Sequence, residues 1–254
     1  MPKIPVILFI MILFSNVLFA QVDVQKILET VDQIQTLNSD ATAKVDIIQK
    51  STDQGTKKLE MLWYKKDSID GMLIAMLNPS VERGNGYLKV GKNMWMYRKN
   101  TRTFQHVGRD ESIGGTEAQM GDFERSNYAD LYEAEKDEKG KEKISEDQLG
   151  KISAYKIYLQ AVVTDVDYPK QIIWVRKDNN LPLKIQGFSL SGNLMQTTYL
   201  LKYIKVKEKY VVTKGLVIDE FEKGNKAVWE VSNISFNPIA KKIFTKAYLE
   251  NLSK

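Results

Sequence analysis

Residues 71–97 read GMLIAMLNPSVERGNGYLKVGKNMWMY. This stretch holds three short apolar runs, separated by an Asn-Pro pair and by glycine-containing turn signals, as is typical of consecutive β-strands. The run at residues 72–77 is apolar at every position. Because a strand with one wet face alternates apolar and polar residues, this run predicts a strand that is covered on both faces.

Strand patterns continue on both sides of this stretch. They occur at residues 43–48, 57–64, 102–107, 152–164, 171–176, 183–190, 194–206, 210–221 and 227–236. Short turn signals separate them, which favours antiparallel hairpins. Apolar residues at helical spacing over residues 24–37 predict a helix before the first strand. Thr245 is placed to cap a final helix that buries Tyr248, Leu249 and Leu252. The patterns predict one domain of about eleven strands with two or three helices.

Residues 108–150 break the strand pattern. They are rich in charge and contain Gly108, Gly114, Gly115 and Gly121. A short helix is expected within residues 122–133, whose apolar residues can share one face. A long segment of this kind inside a compact domain is typically a lid or a binding loop, and we expect one here.

The N-terminus predicts export. Lys3 precedes a nearly continuous apolar run at residues 4–14, and Ala20 follows. This order is typical of a secretory signal peptide at residues 1–20, with the domain at residues 21–254. An uncleaved anchor helix is the alternative, although the run is shorter than the ~20 residues that span a bilayer. The chain has no Cys. We therefore expect a periplasmic protein that needs no disulfide.

Composition excludes several kinds of chemistry. Without Cys, the chain has no thiolate metal site, and with one His it has no multi-histidine zinc site. His106 lies in a strand pattern, where a sheet-surface histidine is a simpler interpretation than a catalytic base. The net charge of +5 falls by one when residues 1–20, with Lys3, are removed. This small excess does not indicate nucleic-acid binding. We predict no enzymatic activity, no catalytic residue, no metal and no cofactor.

Methionine and tryptophan are concentrated in three apolar strands, at residues 61–64, 72–77 and 94–97. Methionine is flexible and polarizable, so it suits surfaces that accept ligands of variable shape. An ordinary core is the simpler interpretation of these strands, and a face that lines a cavity for an apolar ligand is the alternative.

Short motifs in a fixed order carry a resemblance to a known family. They are NP at 78–79, GNGYLKV at 84–90, NMWMY at 93–97, GDF at 121–123, YADL at 128–131, YP at 168–169, IWVRKD at 173–178, PLK at 182–184, SG at 191–192 and FTKAYL at 244–249. With these motifs the chain resembles the outer-membrane lipoprotein-sorting proteins, a Lol carrier-like family, and most closely their spirochaete-type branch.

The resemblance implies a mainly β (α+β) fold: a single open, strongly curved antiparallel sheet, or incomplete β-barrel, whose concave face is covered by helices. It implies a monomeric carrier that binds the acyl chains of lipoproteins or another lipid and moves them towards the outer membrane. The implied partners are an inner-membrane transporter and an outer-membrane acceptor. The residues expected in the cavity are Met72, Ile74 and Met76, with Trp63, Met94, Trp95 and Met96 as candidates from neighbouring strands.

One motif departs from the family. The classical carrier has an Arg-Pro pair after its Leu-Trp strand, whereas this chain reads LWYKKD at residues 62–67. A ligand other than a lipoprotein is therefore an open alternative. A second alternative is a periplasmic sensor or an accessory module of a membrane transporter, since the same type of sheet occurs in such proteins.

Overall fold

A computed structural model describes residues 22–124 and 127–253. The signal peptide predicted at residues 1–20 lies outside these residues. Within them the chain forms fourteen strands in one sheet, together with three α-helices. Every strand pair is antiparallel.

The helices and strands follow the predicted order. The helices are α1 (Val24–Gln35), α2 (Tyr128–Leu131) and α3 (Lys246–Leu252). The strands are β1 (Asp40–Ser51), β2 (Gly55–Lys66), β3 (Gly71–Asn78), β4 (Gly86–Val90), β5 (Asn93–Arg98), β6 (Thr103–His106), β7 (Tyr132–Ala134), β8 (Ile144–Leu149), β9 (Ile152–Ala161), β10 (Lys170–Arg176), β11 (Pro182–Phe188), β12 (Leu194–Val206), β13 (Lys209–Asp219) and β14 (Lys226–Ser235).

The sheet is open. Its order is β6-β5-β4-β3-β2-β1-β14-β13-β12-β11-β10-β9-β7, and β8 also pairs with β9. The first and second halves of the chain join where β1 pairs with β14. The ends β6 and β7 do not pair with each other. The predicted fold class, a single open antiparallel sheet, is therefore confirmed.

The two faces of the sheet have different covers. The face that carries Ile74 and Trp229, here called the inner face, is covered by α1, by residues 108–124 and by α2. The opposite face, here called the outer face, carries Leu73 and Leu88 and is covered over β3–β5 by α3 and the chain before it. Because successive side chains in a strand point to opposite sides, residues 72–77 pack alternately against the inner-face cover and the outer-face cover.

The structure differs from the sequence-based expectation in three details. The strand count is fourteen rather than about eleven, partly because β7 and β8 lie within the segment expected to be irregular. The final helix covers the outer face rather than the inner one. Leu252, predicted to be buried, is exposed at the end of that helix. None of the helices in the described ranges is long and apolar enough to cross a bilayer.

Candidate functional site

Residues 108–124, here called the covering segment, lie across the inner face. Ile113, Met120 and Phe123 are buried there against β1–β5 and β14. The segment closes on itself through backbone bonds, from Ile113 N–H to Ala118 C=O at 2.8 Å and from Gly121 N–H to Arg109 C=O at 2.9 Å. It has no strand of its own and only two short 3₁₀ turns. It is thus a compact loop that plugs an apolar surface.

Most of the sequence-predicted cavity residues lie beneath this segment. The side chains that share the inner-face cluster with it are Met72, Ile74, Met76, Met94 and Met96, with Trp63 partly buried beside them. Register explains this grouping, since Trp63 pairs with Ile74 and Met61 with Met76 across β2 and β3. The five clustered residues are buried, so they line a filled face rather than an open cavity.

Trp95 lies elsewhere. It packs with the outer-face cluster, where the Lys246 ammonium sits 4.5 Å from its ring centroid. Strand alternation places it opposite to Met94 and Met96, which rules it out of the inner-face group. The sequence left its direction open because β5 is apolar on both faces.

Hydrogen bonds hold the covering segment to three strands. The Tyr87 hydroxyl donates to Ser112 C=O at 3.1 Å and accepts from Gly114 N–H at 2.8 Å. The Lys57 ammonium donates to Gly114 C=O at 2.6 Å. Gln49 exchanges two bonds with Glu117, one through its Nε2 at 3.2 Å and one from the Glu117 backbone N–H at 2.9 Å. The tip of the segment is therefore fastened by polar groups.

An ion-pair chain fastens the other end. Lys89, which is buried in β4, lies 2.5 Å from Asp70 Oδ2 and 3.2 Å from Glu124 Oε1. Glu124 also meets Arg109, with Nε 2.8 Å from its Oε2. Arg109 Nη2 lies 3.8 Å from Asp167 Oδ2, in the loop after β9. We call the set Lys89, Glu124, Arg109 and Asp167 the latch. It connects the sheet, the covering segment and the second half of the chain.

A cavity of about 190 Å³ lies beside the latch, between the covering segment, α2 and strands β10–β14. Two aromatic residues lie flat on the sheet beneath it. The indole of Trp229 covers Gly215, and the ring of Tyr168 covers Gly187. A side chain at either glycine would collide with the ring, since a Cβ would lie 2.4–2.5 Å from the nearest ring atom. These strand glycines therefore make room for the aromatic floor.

The walls of the cavity mix aromatic and charged groups. Tyr128 and Tyr132 line it, with ring centroids 6.0 Å apart. Burial raises the pKa of Tyr132 to about 12, so its hydroxyl is neutral at physiological pH. Burial also raises the pKa of Asp122 to about 6; nearby Asp167 adds to this rise, while a hydrogen bond from Gln119 N–H opposes it. Burial raises the pKa of Asp167 above its ordinary value, and the nearby Arg109 guanidinium offsets part of this rise.

Sequence reasoning missed this aromatic cavity. Its floor and walls come mainly from the second half of the chain, whereas the predicted residues come from the first half. Gly187 and Gly215 inside strand patterns were the available signal, because a glycine there indicates close approach by another group. The aromatic residues that they accommodate are distant in sequence or on a neighbouring strand, so the pairing requires the sheet register.

The single histidine is remote from the cavity. His106 is exposed at the end of β6, with its ring centroid 5.6 Å from that of Trp95 and its Nε2 3.5 Å from Asn93 Oδ1. In the described part of the chain, no group of three or more His, Asp or Glu side chains is arranged to hold a metal ion.

A family profile matches most of this architecture. The profile, described as an uncharacterized protein-like family, aligns with residues 69–251, from just before β3 to the last turn of α3. The chain belongs to this family. No curated protein matches the chain.

Solved structures share the fold. A LolA superfamily protein from Nitrosomonas europaea is 22% identical, with a TM-score of 0.74 over 89% of this chain and 99% of that one. A domain described as an outer membrane lipoprotein-sorting protein domain, from Vibrio parahaemolyticus, is 16% identical, with a TM-score of 0.76 over 89% and 97%. A DUF1329 family protein from Desulfovibrio piger is 17% identical, with a TM-score of 0.75 over 89% and 97%. The predicted resemblance to lipoprotein-sorting proteins is confirmed at the level of the fold.

Proposed function

We propose that the protein is a periplasmic carrier that binds the acyl chains of lipids or lipoproteins on the inner face and releases them at a membrane. The observation that carries the proposal is the covering segment, a loop with little regular structure that plugs an apolar face and is fastened by polar groups at its tip and base. The likeness in fold to lipoprotein-sorting proteins supports the same function.

Movement of the covering segment is central to the proposal. The cavity of about 190 Å³ is smaller than the roughly 300–1,000 Å³ of typical ligand pockets. Acyl chains would therefore enter by displacing Ile113, Met120 and Phe123 from the inner face. Each acyl methylene buried contributes about 0.8 kcal/mol, which offsets the loss of the apolar contacts of the segment.

The residues beneath the segment suit such an exchange. Met72, Met76 and Met96 adapt their shape to different chains because their side chains are unbranched and flexible. The indole N–H groups of Trp63 and Trp229 are buried without an acceptor among the described residues. An ester or amide carbonyl of a lipid would satisfy such a donor, which otherwise costs free energy.

Native mass spectrometry tests the proposal directly. Protein purified from a membrane-containing extract, without detergent exchange, should carry lipid-sized adducts that fragment into acyl-containing ions. A Met76→Glu variant places a charge on the inner face and should lose the adducts. The matched control is Leu201→Glu, at an exposed position in β12. An apo wild-type protein that takes up no lipid from vesicles or micelles would contradict the proposal.

A further inference from the structure

Exposed apolar side chains are concentrated at one edge of the sheet. Strand pairing places the β1–β2, β3–β4, β5–β6, β9–β10, β11–β12 and β13–β14 connections at the same edge, here called the apolar edge. Of the nine large apolar side chains exposed in the described residues, five lie in these connections: Val81, Val162, Val163, Leu190 and Phe221. Single exposed apolar residues are ordinary, but this shared location indicates a contact surface.

The three most exposed of the nine are all at this edge. Leu190 is 83% exposed, Val81 81% and Phe221 74%. They sit at the tips of different connections, so no local sequence feature groups them. The topology alone brings them to one side of the molecule.

The turns that carry these side chains are ordered by polar groups. In the β13–β14 turn, Asp219 Oδ1 accepts from Phe221 N–H at 2.7 Å and from Glu222 N–H at 2.8 Å. In the β11–β12 turn, Ser189 Oγ accepts from Asn193 N–H at 3.1 Å. Neither turn needs its apolar side chain for packing. The turns hold Leu190 and Phe221 out into the surroundings.

Charge at the same edge favours an anionic surface. Lys50, Lys99, Lys223 and Lys226 are exposed there and form no ion pair with any described residue. Several carboxylates at this edge are hydrogen-bonded within the protein, while Asp53 and Asp165 are exposed. Glu222, for example, accepts from Asn225 at 2.9 Å. Basic side chains around apolar tips match the headgroup region of an anionic bilayer.

The apolar edge is also continuous with the cavity. The β9–β10 connection carries Val162 and Val163, and a few residues later it supplies Asp167 and Tyr168 to the cavity lining. Asp167 is the last member of the latch. A contact made at Val162 therefore acts on the segment that leads directly to the cavity.

We propose that the apolar edge inserts into the headgroup–acyl boundary of an anionic lipid bilayer, so that the cavity opens toward the membrane. This inference rests on the proposed carrier function, since it supplies the step at which a lipid enters or leaves. Insertion of several apolar tips from one edge fixes the orientation of the molecule as well as its affinity.

Site-specific fluorescence tests the insertion. The chain has no Cys, so Leu190→Cys can be labelled at one position with an environment-sensitive dye. Vesicles of phosphatidylethanolamine and phosphatidylglycerol should shift its emission to the blue. The emission of the same dye on Leu201→Cys should not shift, because this position is 52% exposed but lies in the middle of β12, away from the apolar edge. Equal responses at both positions, or none at Leu190, would overturn the proposal.

Vesicle binding of the unlabelled protein gives the second readout. A Leu190→Ser/Phe221→Ser variant should bind these vesicles about a hundredfold more weakly in sedimentation, since each lost apolar insertion is worth about a tenfold change. Leu201→Ser should bind as wild type does, and phosphatidylcholine vesicles should bind wild type more weakly. If the double variant binds the vesicles as tightly as wild type does, the proposed insertion of the apolar edge is refuted.

The two proposals fail in different ways. If wild type carries lipid adducts but does not bind vesicles, the proposed insertion of the apolar edge is wrong and the carrier function stands. If it binds vesicles through Leu190 and Phe221 but never takes up lipid, the carrier function is wrong and the insertion of the apolar edge stands.

Discussion

At the scale of single residues, Tyr87 anchors the covering segment to the sheet through two hydrogen bonds. Its hydroxyl satisfies both Ser112 C=O and Gly114 N–H. Tyr87→Phe leaves these buried groups without a partner, at a cost of about 1–3 kcal/mol in the free energy of unfolding. Urea denaturation measures this loss. Tyr210→Phe removes a hydroxyl remote from the segment and should cost much less; equal losses would argue against the fastening role.

Asp122 contributes a pH dependence to the stability of the fold. Burial raises its pKa to about 6, from the ordinary value of 3.8 for an exposed aspartate. Its contribution to stability is full below pH 3.8 and is lost as the pH rises through 6, because the native state holds the proton more tightly. From about pH 5 to about pH 7.5 we expect a loss of about 1 kcal/mol.

Asp122→Asn should flatten this dependence. Asparagine keeps an oxygen for Gln119 N–H but carries no charge. The difference in unfolding free energy between about pH 5 and about pH 7.5 should therefore shrink by about 1 kcal/mol in the variant. An identical pH profile in wild type and variant would mean that Asp122 is not the titrating group.

At the scale of elements, the short helix α2 depends on α1. Asp32 of α1 accepts from the backbone N–H groups of Tyr128 at 2.9 Å and Ala129 at 2.8 Å. A four-residue helix is too short to be stable alone, so this contact holds Tyr128 at the cavity wall. Asp32→Ala should raise hydrogen exchange at residues 127–132 several-fold. Asp130→Ala, an exposed position in α2, should leave exchange there unchanged.

The latch joins the covering segment to the sheet and to the loop after β9. Glu124 joins Lys89 and Arg109, so Glu124→Gln weakens both contacts at once. If the segment must move for a ligand to enter, this variant should take up a fluorescent fatty acid several-fold faster than wild type in stopped-flow mixing. Glu208→Gln removes an exposed carboxylate at the β12–β13 turn and should not change the rate. Equal uptake rates in wild type and both variants would show that the latch does not limit ligand entry.

At the scale of the whole molecule, local patterns predicted most of the strands but missed β7 and β8. The open sheet was implied by the family resemblance. The apolar run at residues 72–77 correctly indicated two covered faces, but it could not tell which cover lay on which side. The covering segment takes one face and α3 the other, so Met72 and Leu73 are both buried, for different reasons. The same ambiguity kept Trp95 among the cavity candidates, although it packs on the outer face.

The cavity was beyond the reach of local patterns because its groups meet only through long-range register. Trp229 comes to Gly215 across β13 and β14, and Tyr168 reaches Gly187 from the loop before β10. The apolar edge has the same origin. Val81, Leu190 and Phe221 are far apart in sequence, and antiparallel pairing gathers their turns at one edge.

Photo-crosslinking with a diazirine-labelled fatty acid tests the carrier function most directly. We predict that the label attaches to inner-face residues beneath the covering segment, such as Met72, Met76 and Met96, when fragmentation assigns the sites to single residues. Attachment confined to outer-face residues such as Leu73 and Leu88, or no attachment beyond that of an unrelated soluble protein, would contradict it.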